Sequence, residues 1–283
     1  MTKKQKTILA VLSFFAVAVW VVFFSWPEKN LSVSFCDIGQ GDATFIQSPS
    51  GNQMLIDGGP SKKVLSCISQ GMSFWDRKIE FIVLSHPHVD HITGLIEVLK
   101  RYNVGQIIAT DAAADSPEYK KWLSEIKEKN IPLEMAQNVS QIDLGGNALA
   151  DILYPKESFE GQKIDNLNNT SLVLRLSYAN VSFLFTGDAE KEEQEKLITN
   201  LQPLFSNILK FPHHGSKTAL DENFLNAVSP KIAIISVGKD NQYHLPAEET
   251  ISALQKLGIE IKRTDENGTI QVEVGVDGKY SIK

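Results

Sequence analysis

The earliest pattern along the 283-residue chain is an uncharged run of eighteen residues, 8–25, preceded by Lys3, Lys4 and Lys6 with no acid among them. As a helix the run reaches roughly 27 Å, close to the ~30 Å of a bilayer core. The basic flank places the N-terminus in the cytoplasm and the remainder of the chain outside, with Trp20 and Trp26 as interface anchors. A cleaved signal peptide is the rival reading, because Ala16-Val17-Ala18 resembles a cleavage site. Cutting there leaves residues 19–26 as an apolar new terminus, so the expectation is an uncleaved anchor over 1–26, a linker over 27–30 containing Pro27, and one folded domain over 31–283.

Within that domain the period of the apolar positions alternates between two and three to four. It predicts a strand over 31–37, then a hairpin of 43–47 and 53–57 around Ser48-Pro49-Ser50-Gly51-Asn52. An apolar strand at 81–84 leads to a helix over 92–102, with Ile92, Leu95, Ile96 and Leu99 at helical spacing. A strand over 106–110 and a helix over 116–129 come after it, with Ser116 as N-cap and Pro117 at the first helical position. The second half repeats the rhythm. Strands over 171–177 and 181–186 flank Tyr178-Ala179-Asn180, and a charged helix covers 189–200. Strands over 208–211 and 231–237 come next, then a helix over 247–257 after Pro246 and short strands around Asp265-Glu266-Asn267-Gly268. Hairpins mixed with strand–helix alternation imply an α/β fold: a pair of mixed sheets covered by helices on both sides.

Composition changes this picture little. The apolar and charged fractions, 42% and 22%, exclude disorder as the main reading. Without residues 1–26 the chain holds 25 basic residues against 34 acids, a formal balance of −9. That excludes a general nucleic-acid binder and leaves open a local basic groove. Cys36 and Cys67 are too few for a disulfide framework. Cys36, in an apolar stretch, reads as a small core residue, and a single Cys36–Cys67 bridge outside the cell stays open.

The chemistry is concentrated in Ser85-His86-Pro87-His88-Val89-Asp90-His91. Three imidazoles and a carboxylate sit within six residues, between an apolar strand and a helix, and such groups suit a zinc-like ion. Pro87 is expected to keep the helix from starting early, so that the ligands stay in the loop. The alternative is a polar surface loop. All six histidines fall into three clusters, namely His86/His88/His91, His213/His214 and His244, and each later cluster comes after a predicted strand. Asp188, in Thr186-Gly187-Asp188, reads alone as a helix cap and beside the histidines as a bridging ligand. Asp42 and Asp57 read as groups that orient ligand histidines or cap turns. Ser216 and Lys217 read as phosphate contacts, or Ser216 as a cap.

Taken in order, His-x-His-x-Asp-His, then Gly-Asp, then a later His, resembles the metallo-β-lactamase superfamily. The segments Phe35-Cys36-Asp37-Ile38-Gly39-Gln40-Gly41-Asp42-Ala43, Leu55-Ile56-Asp57-Gly58-Gly59, Asn168-Asn169-Thr170-Ser171, Pro212-His213-His214-Gly215-Ser216, Asn241-Gln242-Tyr243 and Arg263-Thr264-Asp265 resemble the corresponding domain of ComEC-type competence proteins. The resemblance covers residue 31 to about residue 272. It implies a four-layer αββα sandwich with two divalent ions, Zn²⁺ or Mn²⁺, at one edge of the sheets. His86 and His88 would hold the first ion and Asp90 and His91 the second. Asp188 would bridge, and one of His213 and His214, with a slight preference for His213, would complete the second site. The superfamily often places another His where this chain has Asn168-Asn169-Thr170-Ser171, so the first site is one strong ligand short. His244 lies one position earlier than that branch's Gly-His-Pro pattern and reads either as a site residue or as plain surface.

The implied activity is that of an extracytoplasmic metal-dependent phosphodiesterase or nuclease related to DNA uptake, in which two ions share a hydroxide. Asp90 and His244 are the candidates for proton transfer to the leaving group. With one candidate span the chain is no channel, so DNA uptake requires a separate channel protein. Two alternatives stand beside this: a hydrolase of another ester or of a cell-envelope molecule, and a non-catalytic metal-binding module. Metal-dependent turnover of phosphodiesters, of esters only, or of neither separates the three.

Overall fold

A computed structural model of the protein describes residues 1–24 and 30–283. Trp26 and most of the expected linker lie outside the described residues. Helix α1 (Lys3–Phe24) carries the N-terminal apolar run. Over Lys3–Val22 its mean hydropathy is 1.9 and no part is buried, so it is long and apolar enough to cross a membrane.

The chain then builds two sheets in succession. Strands β1 (Leu31–Phe35), β2 (Thr44–Gln47), β3 (Gln53–Ile56), β4 (Lys78–Leu84), β5 (Asn103–Ala109) and β6 (Leu133–Met135) lie side by side in chain order. The next seven form the second sheet: β7 (Gln141–Asp143), β8 (Leu149–Tyr154), β9 (Val173–Tyr178), β10 (Val181–Phe185), β11 (Ile208–Lys210), β12 (Ile232–Ile235) and β13 (Glu260–Arg263). Strands β14 (Ile270–Val274) and β15 (Tyr280–Ile282) return to the first sheet, where β14 pairs antiparallel with β1, Val33 opposite Val272.

Three apolar layers separate four structural ones. Between the sheets, Val33, Phe35, Met54, Leu174, Phe183 and Ile234 pack together. On the outer face of the first sheet lie α2 (Val64–Gly71), α3 (Val89–Arg101) and α4 (Pro117–Glu128), whose Ile68, Leu95 and Trp122 are buried against Leu55 and Ile82. On the outer face of the second lie α5 (Lys191–Thr199), α6 (Glu222–Val228) and α7 (Glu248–Lys256), burying Leu197, Phe224 and Leu254. This is the αββα sandwich that the motif order implied. Ser116 caps α4 as expected, its Oγ accepting from Tyr119 N at 3.1 Å with Pro117 in the first turn.

Three features depart from expectation. Helix α3 begins at Val89 rather than Ile92, so Asp90 and His91 occupy its first turn and not the preceding loop. Pro87 only delays the start to Val89, with His88 extended at the cap, and an anionic Asp90 in the first turn suits the free N–H groups there. Helices α2 and α6 and strands β6, β7 and β8 have no counterpart in the elements that the apolar pattern predicts. Finally, Cys36 and Cys67 are joined in a disulfide with Cα atoms 5.8 Å apart, tying the end of β1 to α2. Both sulfurs are also buried in the outer apolar layer, so the core reading and the bridge hold together.

Candidate metal centre

The parallel order β3–β4–β5 in one sheet and β10–β11–β12 in the other brings the C-terminal ends of these strands to a common edge. β4 leads into Ser85–His91, β10 into Gly187-Asp188, and β11 into His213-His214. The first turn of α3 is held there by backbone contacts. Gly58 N donates to His91 O at 2.7 Å, Gly94 N to Gly59 O at 2.8 Å, and Asp42 N to Asp90 O at 3.3 Å. The approach is too close for side chains. A Cβ on Gly94 would lie 1.8 Å from Gly58 O, and one on Gly41, whose φ is +121°, 2.2 Å from Asp90 O.

Two groups of potential ligand atoms result, with all atoms of a group within 4.8 Å of one another. One is His86, His88 and Asp188; the other is Asp90, His91, Asp188 and His214. Asp188 belongs to both. Its Oδ2 lies 3.4 Å from His91 Nε2, 3.7 Å from His86 Nε2 and His214 Nε2, and 3.9 Å from His213 Nε2.

The surrounding groups orient these rings. Asp57 Oδ2 takes His91 Nδ1 at 2.9 Å, while Ser85 donates N and Oγ to the same carboxylate. The carbonyl of Ser236 takes His214 Nδ1 at 3.0 Å. Both bonds fix the Nδ1–H tautomer and leave Nε2 facing the cluster. Asp57 therefore orients a candidate ligand, one of the two roles read for it. Asp42 supports His214 Nδ1 at 3.3 Å and also meets a residue that the sequence pattern does not reveal, Lys210, whose buried Nζ lies 2.6 Å from Asp42 Oδ2. Burial alone would raise the Asp42 carboxyl, but Lys210 and His214 bring it down to about 2. Lys210→Met strands a buried carboxylate and is expected to cost about 3–5 kcal/mol, measured by denaturant unfolding. An unchanged midpoint would show that this pair does not hold the loop.

The electrostatics suit cations. Burial would raise Asp188, yet His214, His91 and His86 hold it well below the usual carboxylate range. Burial would keep His91 neutral, but Asp188, Asp57 and Asp90 raise its pKa well above the ordinary value. His214 is raised to about 10, with burial opposed by Asp188 and Asp42. His86, by contrast, is pushed down by burial and by His91. His91 Nε2 and Asp188 Oδ1 are buried with no hydrogen-bond partner among the described residues. Buried polar atoms of this kind are costly unless something pairs with them. Imidazole and carboxylate donors converging on one point fit a divalent ion.

The structure separates the two later histidines. His214 is buried and within 3.3 Å of Asp90 Oδ2, so it, and not the slightly preferred His213, joins the second ligand group. The reason is backbone conformation. Both residues are left-handed, with φ of 48° and 53°, and this turn aims one ring inward and the other along the rim. The His213 ring is partly exposed, and its Nδ1 lies 3.0 Å from Glu190 Oε1. Glu190 also accepts from Thr218 Oγ1, Asn166 Nδ2 and Asn168 Nδ2. Where the resemblance implies a further His, Ser171 Oγ accepts from Asp188 N at 3.0 Å and lies 3.4 Å from His86 Nδ1. His244 is exposed, and its imidazole makes no hydrogen bond or ion pair among the described residues. Its loop packs on the His214–Gly215 turn, where Ala247 N donates to Gly215 O. Ser216 Oγ caps the next turn, accepting from Thr218 N, and Lys217 is exposed.

Residues 36–239 match the family model described as the metallo-beta-lactamase superfamily. The chain is 30% identical to ComE operon protein 3 of Bacillus subtilis (strain 168) over 95% of its length, and 30% identical to competence protein ComA of Neisseria gonorrhoeae over 89%. It spans about a third of these relatives, 36% and 33% of their lengths. Among solved structures, the metallo-beta-lactamase fold protein YhfI of Bacillus subtilis aligns with a TM-score of 0.57 at 14% identity, covering 86% of this chain and 99% of that one.

Proposed function

The chain belongs to the metallo-beta-lactamase superfamily, and on that footing we propose that it is a membrane-anchored, metal-dependent hydrolase of phosphodiesters acting outside the cytoplasm in a DNA-uptake setting. The observation that carries this reading is the pair of ligand groups sharing Asp188, with the buried His91 Nε2 and Asp188 Oδ1 making no hydrogen bond among the described residues. His86, His88 and Asp188 would hold one divalent ion, and Asp90, His91, Asp188 and His214 the other. Such a pair supplies Lewis acidity toward a phosphoryl oxygen and a nucleophile at neutral pH.

The chain's own residues do the rest. Asp57 and the Ser236 carbonyl hold His91 and His214 in the tautomer that presents Nε2. His213, oriented by Glu190, sits at the accessible rim with Nε2 toward the cluster and is the proton donor to the leaving oxygen in this reading. Asp90, the other candidate donor from the motif, is held below the usual carboxylate range by His91 and His214 against burial, so it is ionised and serves as a ligand. His244 stays a rim residue for a bound substrate. The competence relatives motivate DNA as substrate and a separate channel protein as partner.

The test is hydrolysis of single-stranded DNA, double-stranded DNA and a small phosphodiester by the purified chain, with Mn²⁺, with Zn²⁺ and with chelator. Ester cleavage without phosphodiester cleavage would favour an envelope or other ester substrate. Bound metal without any turnover would favour a binding module, a reading supported by Ser171 standing where a third histidine was expected.

The compartment is inferred from α1 and its basic flank, and from the Cys36–Cys67 disulfide, which persists where the surroundings are oxidising. Protease added to intact cells is expected to remove the domain and leave a short membrane stub. Full protection of the domain would reverse the orientation.

A further inference from the structure

Helices α2 to α7 each connect two parallel neighbouring strands: β3 to β4, β4 to β5, β5 to β6, β10 to β11, β11 to β12 and β12 to β13. Each helix therefore leaves the edge that carries the His/Asp cluster and returns to the opposite end of the sandwich. β1 starts at that opposite end, because it runs toward Cys36 and the cluster and pairs antiparallel with β2, Ser32 opposite Gln47. The chain thus enters the domain from the candidate membrane helix at the end farthest from the metal centre. Six residues lie between Phe24 and Leu31, and the seven Cα steps joining them span at most about 25 Å when extended. With α1 in a bilayer, this end is held near the lipid surface.

Most of the exposed large apolar side chains of the domain lie at the same end, Val89 and Tyr243 at the metal-centre edge being the exceptions. Phe74 and Trp75, 76% and 47% exposed, form an edge-to-face pair just before β4. Leu201 and Phe205 precede β11, and Val276 tips the β14–β15 hairpin. Between α2 and the last turn of α3 lies an open concavity of about 570 Å³, lined by Ser66, Ser69, Arg77, Arg101, Leu65 and Tyr102. Arg77 and Arg101 make no ion pair among the described residues, and Arg77 stands two positions after Trp75. Aromatic rings beside guanidinium groups without ion pairs, Arg77 donating only to the Asp76 carbonyl, match the layered chemistry of a lipid interface: rings at headgroup level, and bidentate donors for a phosphate.

We propose that the end of the domain opposite the metal centre rests on the bilayer, with Phe74 and Trp75 in the interface and the Arg77/Arg101 concavity taking the phosphate of an anionic lipid headgroup. This rests on the reading that α1 crosses the membrane. It sets the metal centre facing away from the lipid, beyond the length of β4, roughly 20 Å.

The test uses the full chain in phosphatidylcholine vesicles with and without phosphatidylglycerol. Spin labels are attached singly to Phe74→Cys, Val276→Cys and Tyr243→Cys, the native cysteines being paired and buried. Labels at 74 and 276 are expected to show a severalfold higher ratio of oxygen to nickel-chelate collisions than the label at 243, which lies near the metal-centre rim. Phosphatidylglycerol is expected to raise the ratio at 74, and Arg77→Ala with Arg101→Ala to cancel that rise. Equal, aqueous ratios at all three positions, in a chain that resists carbonate extraction, would overturn the proposal while leaving the anchor intact. A ratio at 74 indifferent to phosphatidylglycerol, or displacement by single-stranded DNA at the arginines, would overturn the headgroup site. Extraction of the chain by carbonate would overturn the anchor and this proposal together.

Discussion

Asp188→Asn is expected to lower metal-dependent turnover by at least about three orders of magnitude, equivalent to ~4 kcal/mol of transition-state stabilisation, while the far-UV circular dichroism spectrum is retained. Asparagine keeps the shape of the side chain but removes the charge that four imidazoles share, with Oδ2 between 3.4 and 3.9 Å from each. The competing role, a helix N-cap, has no support in the geometry. Glu190 occupies the position before α5, and Asp188 makes no capping bond to that helix. A capping role alone would cost about 1 kcal/mol of stability and leave activity nearly intact. Kinetics with metal analysis of the same preparation separates the two, and near-normal turnover would remove Asp188 from the centre.

Stepwise metal titration is expected to resolve two affinities. The tighter belongs to Asp90, His91, Asp188 and His214, the looser to His86, His88 and Asp188. His91→Ala and His214→Ala should each abolish the tighter event, and His86→Ala the looser. Losing one ligand or the partner that orients it typically costs 10- to 100-fold or more in affinity. His213→Ala should leave both events in place and lower only turnover, because its ring is held by Glu190 at the rim. One metal event depending equally on His86, His88, Asp90 and His91 would reject the two-ion arrangement. Loss of the tighter event in His213→Ala would restore His213 as a ligand.

Much of this is legible in the sequence for physical reasons. The candidate ligands near β4 sit within six residues, so short-range order alone brings them together, and the periods of the flanking strand and helix locate that segment at a sheet edge. Other parts resist such reading. The choice between His213 and His214 depends on two left-handed residues whose conformation is set by tertiary contact, His213 N to Gly187 O. Lys210 reads as a surface charge until β11 is placed in the middle of a sheet and its Nζ meets Asp42, 168 residues away. Glu190 lies in a run of acids and lysines that suggests a solvated helix face, and nothing local marks it as the acceptor for three side chains and the ion-pair partner of His213. In α5 the polar Glu193 and Gln194 are buried, so the apolar pattern could not reveal which face packs. β6 and β7 are three residues long, too short for a period to register.

The strand order also has a temporal side. β1 is the first element of the domain to be synthesised, and one of its two neighbours, β14, is among the last. The first sheet therefore waits, with an open edge at β1, until more than 230 further residues have emerged. Pairing at such separation is slow because loop-closure entropy must be met before any contact rewards it. The histidines near β4 appear early in this sequence of events, and Asp188 and His214 about 100 and 120 residues later. A metal captured by the completed cluster would thus act as a late seal on folding, holding together two halves of a chain that arrive at different times.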